Sequence, residues 1–137
     1  MDELNRFVRA QERSYAQALS EIKSGRKYSH WIWYVFPQLK GLGRSENSYY
    51  YGLDSLAEAA SYLAHPVLGS RLREITLALL EHSGKKPKDI LGGIDATKVC
   101  SSMTLFDKVC PGDIFARVLD EFYDGCRCNR TLHMISA

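Results

Sequence analysis

The chain has 137 residues and a formal net charge of +2, with 45% hydrophobic and 25% charged residues. This length suits one domain with a substantial core, and the composition is ordinary for a soluble globular protein. The small net charge, without any block of five like charges, argues against nucleic acid as a partner.

The N-terminal residues have neither a basic start nor an apolar signal core, so we expect no secretion signal. The longest apolar run, about six residues, is far shorter than the roughly 20 that a membrane span needs, so we expect no membrane partner. These features predict a cytoplasmic protein whose four cysteines are reduced thiols.

The first predicted element is a long helix. From residue 3 to 24, apolar residues recur at steps of three and four, which is typical of an amphipathic helix, and Gly25 supplies a stop. Ser29 is a suitable N-cap for a short helix over residues 31–36. The same run is rich in β-formers, so a strand stays open as an alternative, and Pro37 ends either element.

The rest of the chain is predicted as further helices separated by proline and glycine. Capping or first-turn residues are expected at Ser45, Asp54, Pro66, Pro87, Asp95 and Asp113, for helices over 45–51, 54–63, 66–84, 87–91, 95–110 and 113–125, with a last turn over 129–135. The sequence therefore predicts an all-α fold. We expect a single domain over 1–137, an irregular bundle or array of about six or seven helices, with 125–137 as a candidate loose tail.

The aromatic block over residues 29–38 is the most informative segment for function. It places Trp31 and Trp33 beside His30 and Gln38, and aromatic rings with a few polar groups are typical of a small-ligand pocket. In that interpretation a tryptophan stacks on a planar ligand, Gln38 contacts its polar edges, and His30 is the candidate catalytic acid or base. The alternative is a core segment whose histidine caps a helix or bonds to backbone.

The glycine-containing loop over residues 41–45 follows the aromatic block. Its glycines would let backbone amides approach an anion, and Arg44 would bind phosphate or carboxylate as a fork. Ser45 would cap the next helix, whose N-terminus also favours an anion. The sequence lacks the ending of a P-loop and a preceding Rossmann strand, so no standard nucleotide motif is present. The alternative is a tight turn with a surface arginine.

Hydroxyl residues concentrate in a third candidate segment, residues 101–106. Ser102 and Thr104 would line the far wall of a pocket, because hydroxyls inside a helix are unfavourable unless they bond to something. They could equally bond to carbonyls four residues earlier or cap a helix. The segment has no nucleophile elbow, and a serine–lysine pair with Lys98, one turn before these serines, stays as an alternative.

The cysteines do not predict a metal site. Cys126 and Cys128 are separated by one residue, which is too short for the usual zinc pairs, and partner pairs are missing. We therefore expect no metal, and no motif indicates a cofactor.

Five sequence blocks in order resemble a known family. They are Phe-Val-x-Ala-Gln-Glu near the start, Gly-Arg-Lys-x-Ser-His-Trp-x-Trp-Tyr-x-Phe-Pro-Gln-Leu, Gly-Leu-Gly-Arg-Ser, Leu-Ala-His-Pro-Val-Leu-Gly-x-Arg-Leu-Arg-Glu over 63–74, and Ser-Ser-Met-Thr-Leu-Phe over 101–106. Together they resemble DUF1810, a bacterial family of unknown function with some members mislabelled calpastatin. The resemblance implies a small, all-helical, stand-alone cytosolic protein and no established activity. The resemblance runs from about Leu4 to Leu132, and the four cysteines and the tail from Cys126 to Ala137 are peculiar to this sequence.

Two functional hypotheses follow from these segments. The first is a pocket for a small anionic ligand, of nucleotide or sugar-phosphate type, with hydrolysis as the reaction class that His30 would support. The second is a non-catalytic interaction module with the aromatic block as core or docking surface. The first predicts that His30, Arg44 and Ser102 converge in one concave site, and the second that they are scattered or lie on a flat apolar patch.

Overall fold

A computed structural model describes residues 3–136 and contains nine helices in that range. Their bounds are α1 Asn5–Ser24, α2 Ile32–Val35, α3 Glu46–Tyr50, α4 Leu56–Ala64, α5 Pro66–Leu80, α6 Pro87–Leu91, α7 Gly93–Val109, α8 Ile114–Phe122 and α9 Asn129–Ser136. Six of them have seven or more residues, and no strand occurs between residues 3 and 136. The all-α prediction is confirmed. None of the described helices is both long and apolar enough to cross a bilayer.

α1 follows the predicted periodicity and buries one face. Phe7, Ala18 and Ile22 are fully buried on it, which is what steps of three and four produce on a helix. Gly25 ends α1 in the left-handed conformation, and its N–H bonds to the carbonyls of Glu21 and Ile22. Glycine adopts this conformation without steric cost, so the stop predicted at Gly25 is confirmed.

α4 and α5 form a tight corner. His65 Nδ1 accepts hydrogen bonds from the backbone N–H groups of Val67 and Leu68, and Pro66 occupies the first turn of α5, as predicted. At Gly69 an added Cβ would lie 2.0 Å from the carbonyl oxygen of Leu63. The corner therefore depends on a residue without a side chain.

Two predicted caps are wrong by one to three residues. Ser55 rather than Asp54 caps α4, and its hydroxyl accepts the Glu58 N–H at 3.1 Å. Asp95 lies inside the first turn of α7, whose N-cap is Gly92, with no side-chain cap. In each case the helix begins at a different residue from the one expected, so another residue lies beside the free N–H groups at its start.

α7 is the central helix of the structure. It packs against α2, α4, α6, α8 and α9, and every residue from 101 to 106 on it is buried. A helix surrounded in this way loses the polar face of a surface helix. Its second half therefore forms core, and only its first half is available for a site.

α9 packs against α7. The backbone N–H of Cys128 donates to Thr104 Oγ1 at 2.9 Å, and Thr131 is fully buried. These contacts hold α9, which lies in the candidate loose tail of the sequence analysis, on the surface of the central helix.

Leu39 and Leu53 form an isolated parallel bridge. The N–H of Lys40 donates to the Leu53 carbonyl at 2.8 Å, and the N–H of Leu53 donates to the Gln38 carbonyl at 2.9 Å. The bridge holds together the two ends of the segment that carries α3, and it fixes the backbone at Gln38.

Candidate functional site

A buried carboxylate, Glu21, organises the aromatic block. It accepts the backbone N–H groups of Tyr28 and Ser29, the Ser29 hydroxyl and the indole N–H of Trp31. Burial opposes ionisation, but the bonds from Ser29, Gln17 and Tyr28 outweigh it and lower the pKa of Glu21 from 4.5 to about 2. Ser29 therefore binds Glu21 and does not cap α2, whose N-cap position is Trp31, so that prediction is wrong.

Two adjoining cavities, about 460 and 270 Å³, lie along the first half of α7, and Ile94 and Lys98 line both. We call them together the α7 cleft. The larger cavity is lined by Lys27, Tyr28, His30, Ile32, Trp33, Leu91, Gly92, Gly93, Ile94, Asp95 and Lys98. The smaller is lined by Gln38, Leu42, Gly43, Ile94, Thr97, Lys98, Ser101, Cys128 and Arg130.

The charge of the cleft is positive, with three cations and one carboxylate among its described lining residues. Asp95 bonds to Lys27 at 2.7 Å and lies 3.8 Å from Lys98. Lys98 Nζ also lies 5.1 Å from the ring centroid of Trp33. An anion would therefore meet Lys98 beside an aromatic ring.

The N-terminus of α7 opens into the larger cavity. No side chain caps it, so the first N–H groups of the helix are free of the usual side-chain partner. Nothing lies within 4 Å of a Cβ placed at Gly92 or Gly93. The start of α7 is therefore open beside these glycines, and the Asp95 carboxylate in its first turn offsets part of the positive end of the helix dipole.

Gln38 lines the smaller cavity of the cleft and lacks a hydrogen-bond partner for its side chain. It is 7% exposed, and its side-chain amide has no hydrogen-bond partner among residues 3–136. A Cβ at Gly43 would be 3.6 Å from its Nε2 atom. Because the amide has no protein partner and lines the cavity, it is free to bond to a group that enters there.

The structure brings three of the predicted site residues together. His30, Trp33 and Gln38 all line the α7 cleft. His30 is exposed and its ring forms no hydrogen bond within the described chain. Trp33 is partly buried, and its indole N–H has no partner there either.

Trp31 is placed elsewhere. It is 1% exposed, and its ring packs in the core near Phe36, so it has no free face for stacking. This is the core alternative that the sequence left open.

The remaining predicted residues do not line the cleft. Arg44 is exposed outside it, and Ser45 caps α3 through a bond from the Ser48 N–H. Ser102 is fully buried with an unpaired hydroxyl, whereas Thr104 bonds to the Cys100 carbonyl four residues earlier. The expected convergence of His30, Arg44 and Ser102 is therefore not observed.

Sequence reasoning missed Lys27 and Arg130 as lining residues and named Ser102, whereas Ser101 lines the smaller cavity. The Ser101 hydroxyl lies 3.3 Å from Cys128 Sγ. The sequence connects Lys98 only with a serine–lysine pair, not with the cleft. The glycine pair before α7 was the available signal, because two glycines beside a helix start leave its N–H groups accessible.

A third cavity, of about 570 Å³, lies outside the α7 cleft, beside Arg6 and Lys40. Two of its basic side chains are paired: Lys40 bonds to Asp54 at 2.8 Å, and Arg6 lies 3.7 Å from Glu58. Glu3, Asp54 and Glu58 have carboxylate oxygens within 4.8 Å of one another, and these two basic side chains offset two of the three negative charges. None of the site residues expected from the sequence lines this cavity, so the α7 cleft is the better candidate site.

The family model for DUF1810, described as a protein of unknown function, matches residues 1–135. The crystal structure of the conserved hypothetical protein Rv1873 from Mycobacterium tuberculosis is similar, with a TM-score of 0.96 and 41% identity over 98% of this chain and 97% of that chain. No curated protein matches the chain. The motifs, the fold and the match over nearly the whole length agree that the chain belongs to the DUF1810 family of proteins of unknown function.

Proposed function

We propose that the protein binds a small anionic ligand, of nucleotide or sugar-phosphate type, in the α7 cleft. The observation that carries the proposal is the Gln38 side chain, which lines the cleft, is 7% exposed and has no hydrogen-bond partner within the described residues. Its amide reaches the open cavity, where a ligand could take the place of water as its hydrogen-bond partner.

The other groups of the cleft suit an anion attached to a planar ring. Lys98 supplies a cation beside the partly buried ring of Trp33, and the open N-terminus of α7 supplies N–H donors. Arg44 and Ser45, expected from the sequence as anion contacts, have no part in this proposal because they lie outside the cleft.

A hydrolytic step would fall to His30. Its imidazole is exposed and lines the larger cavity of the cleft, and an imidazole can transfer a proton to or from a bound ligand. Loss of turnover in His30→Ala with binding retained would support this step, and full turnover would refute it.

The test is a thermal-shift series with ADP-ribose, nucleotides, sugar phosphates and inorganic phosphate. A ligand at about 100 times its dissociation constant stabilises the fold by about 2.7 kcal/mol. We expect Lys98→Met and Gln38→Leu to remove the shift and the matched variant Arg44→Met, outside the cleft, to keep it. A shift lost equally in Arg44→Met would contradict this placement.

The non-catalytic interaction module is the second candidate. Two large hydrophobic side chains at the cleft, Tyr28 and Ile94, are 69% and 75% exposed, as at a docking surface. This candidate predicts no shift with any of these anions and loss of a protein partner in Ile94→Asp. The same screen therefore separates the two functions.

A further inference from the structure

Cys128 stands at the start of α9, at the smaller end of the α7 cleft. Its carbonyl accepts the Leu132 N–H at 3.1 Å, which is the first hydrogen bond of the helix, and its own N–H donates to Thr104 Oγ1 at 2.9 Å. The residue therefore occupies the N-cap position of an eight-residue helix. A sulfur at this position lies at the positive end of the helix dipole, which favours a thiolate.

The surroundings of the sulfur also favour negative charge. The Ser101 hydroxyl lies 3.3 Å from Cys128 Sγ and 3.2 Å from the Thr97 carbonyl oxygen, and its one proton turns to the sulfur when Cys128 is ionised. Lys98 and Arg130 line the same cavity, and no carboxylate is among its described lining residues. Burial opposes ionisation, but the bonds from Ser101 and from the first N–H groups of α9 outweigh it and lower the pKa of the Cys128 thiol.

A second observation indicates that the cavity beside this thiol takes an occupant. The Gln38 side chain lines the same cavity, is 7% exposed as a residue, and has an amide without a hydrogen-bond partner within the described chain. An amide of this kind would hold a carbonyl or carboxylate group of a small molecule in place while the sulfur reacts.

We propose that Cys128 is a nucleophilic thiol that exchanges with small anionic disulfides entering the α7 cleft, which makes it a reversible S-thiolation site. The Cys128 thiolate attacks one sulfur of the disulfide, the disulfide bond breaks, and a new bond joins Cys128 to that half. The other half leaves as a thiolate, and a second thiol reverses the step. The site goes beyond ligand binding and does not depend on a hydrolytic role for His30.

The test follows thiol reaction in the reduced full-length protein at pH 7. The probes are 5,5′-dithiobis(2-nitrobenzoate), an anionic disulfide, and 4,4′-dithiodipyridine, a neutral one. We expect one thiol to react at least about tenfold faster than the others with the anionic probe. Cys128→Ser should remove this fast phase, and Cys110→Ser should keep it. Serine is a good N-cap, so the variant is expected to keep α9 folded.

Two further measurements make the result decisive. Lys98→Gln should slow the anionic probe and leave the neutral one unchanged, and mass spectrometry after oxidised glutathione should place the adduct on Cys128. A fast phase that survives in Cys128→Ser and disappears in Cys126→Ser would overturn the proposal, as would four thiols reacting at similar rates. Because the assay reads disulfide exchange, failure of the anion screen leaves its outcome unaffected.

Discussion

The indole N–H of Trp31 donates to Glu21 Oε1 across 3.0 Å. This bond joins α1 to the segment that leads into α2, and both partners are buried. The same carboxylate also receives two backbone N–H groups, so one side chain fixes the segment that carries His30 to the edge of the α7 cleft.

Glu21→Gln is expected to destabilise the fold. The variant keeps the size of the side chain, but it replaces a carboxylate whose pKa is lowered from 4.5 to about 2. A difference of that size corresponds to stabilisation on the order of 3 kcal/mol at neutral pH. Urea unfolding of the variant and of Glu12→Gln, an exposed position on the same helix, measures the difference.

The Glu21 contribution should depend on pH in a defined direction. Because the pKa is lower in the folded protein, the stabilisation is complete above about pH 4.5 and disappears as the pH falls towards 2. The stability gap between wild type and Glu21→Gln should therefore close over this range. A gap that stays constant from pH 7 to pH 2.5 would show that the carboxylate charge contributes nothing.

Gly69→Ala should loosen the corner between α4 and α5. The added Cβ would meet the Leu63 carbonyl oxygen at 2.0 Å, so the helices must separate, with an expected loss of about 3 kcal/mol. Gly93→Ala is the matched control, since nothing lies within 4 Å of its Cβ, and its stability should be unchanged or slightly raised. Equal melting temperatures for both variants would contradict the close approach.

Ser55→Ala should destabilise the fold more than Asp54→Ala. Ser55 caps α4, and loss of such a cap costs about 1 kcal/mol. Asp54 forms an exposed ion pair with Lys40, and pairs of this kind contribute a few tenths of a kcal/mol. Denaturant midpoints of the two variants give the order directly, and the reverse order would support the cap that the sequence alone favours.

Thr104→Val should lower the stability of the fold, whereas Ser102→Ala should not. Thr104 accepts the Cys128 N–H, so its loss leaves that donor unpaired and costs about 1 kcal/mol or more. The Ser102 hydroxyl is buried and unpaired in the described structure, so its removal should leave stability unchanged or raise it. Neither variant should alter anion binding. Weakened binding in Ser102→Ala would show that this serine takes part in the binding site.

The sequence predicted the helical fold because apolar periodicity, prolines and glycines act locally. Gly25, Pro66 and Pro87 each mark an element boundary that the structure shows. Caps were less predictable, since neighbouring residues such as Asp54 and Ser55 are both suitable and only the path of the backbone selects one.

The candidate site was predictable only where its residues are close together in the sequence. The block over 29–38 contributes His30, Trp33 and Gln38 to the cleft, but residue type does not tell Trp31 from Trp33. Packing makes that choice, and it turns Trp31 towards Glu21. Lys98 and Cys128 reach the cleft from distant parts of the chain, so no local pattern could connect them with the aromatic block.

The bridge between Leu39 and Leu53 has a practical consequence. It closes the segment 40–52 at its base, and the entropic cost of a closed loop rises only with the logarithm of its length. Extra residues inserted at exposed Arg44 would therefore leave the backbone of Gln38 in place. The segment offers a grafting point for a fluorophore or an affinity handle that would report on the cleft from its rim.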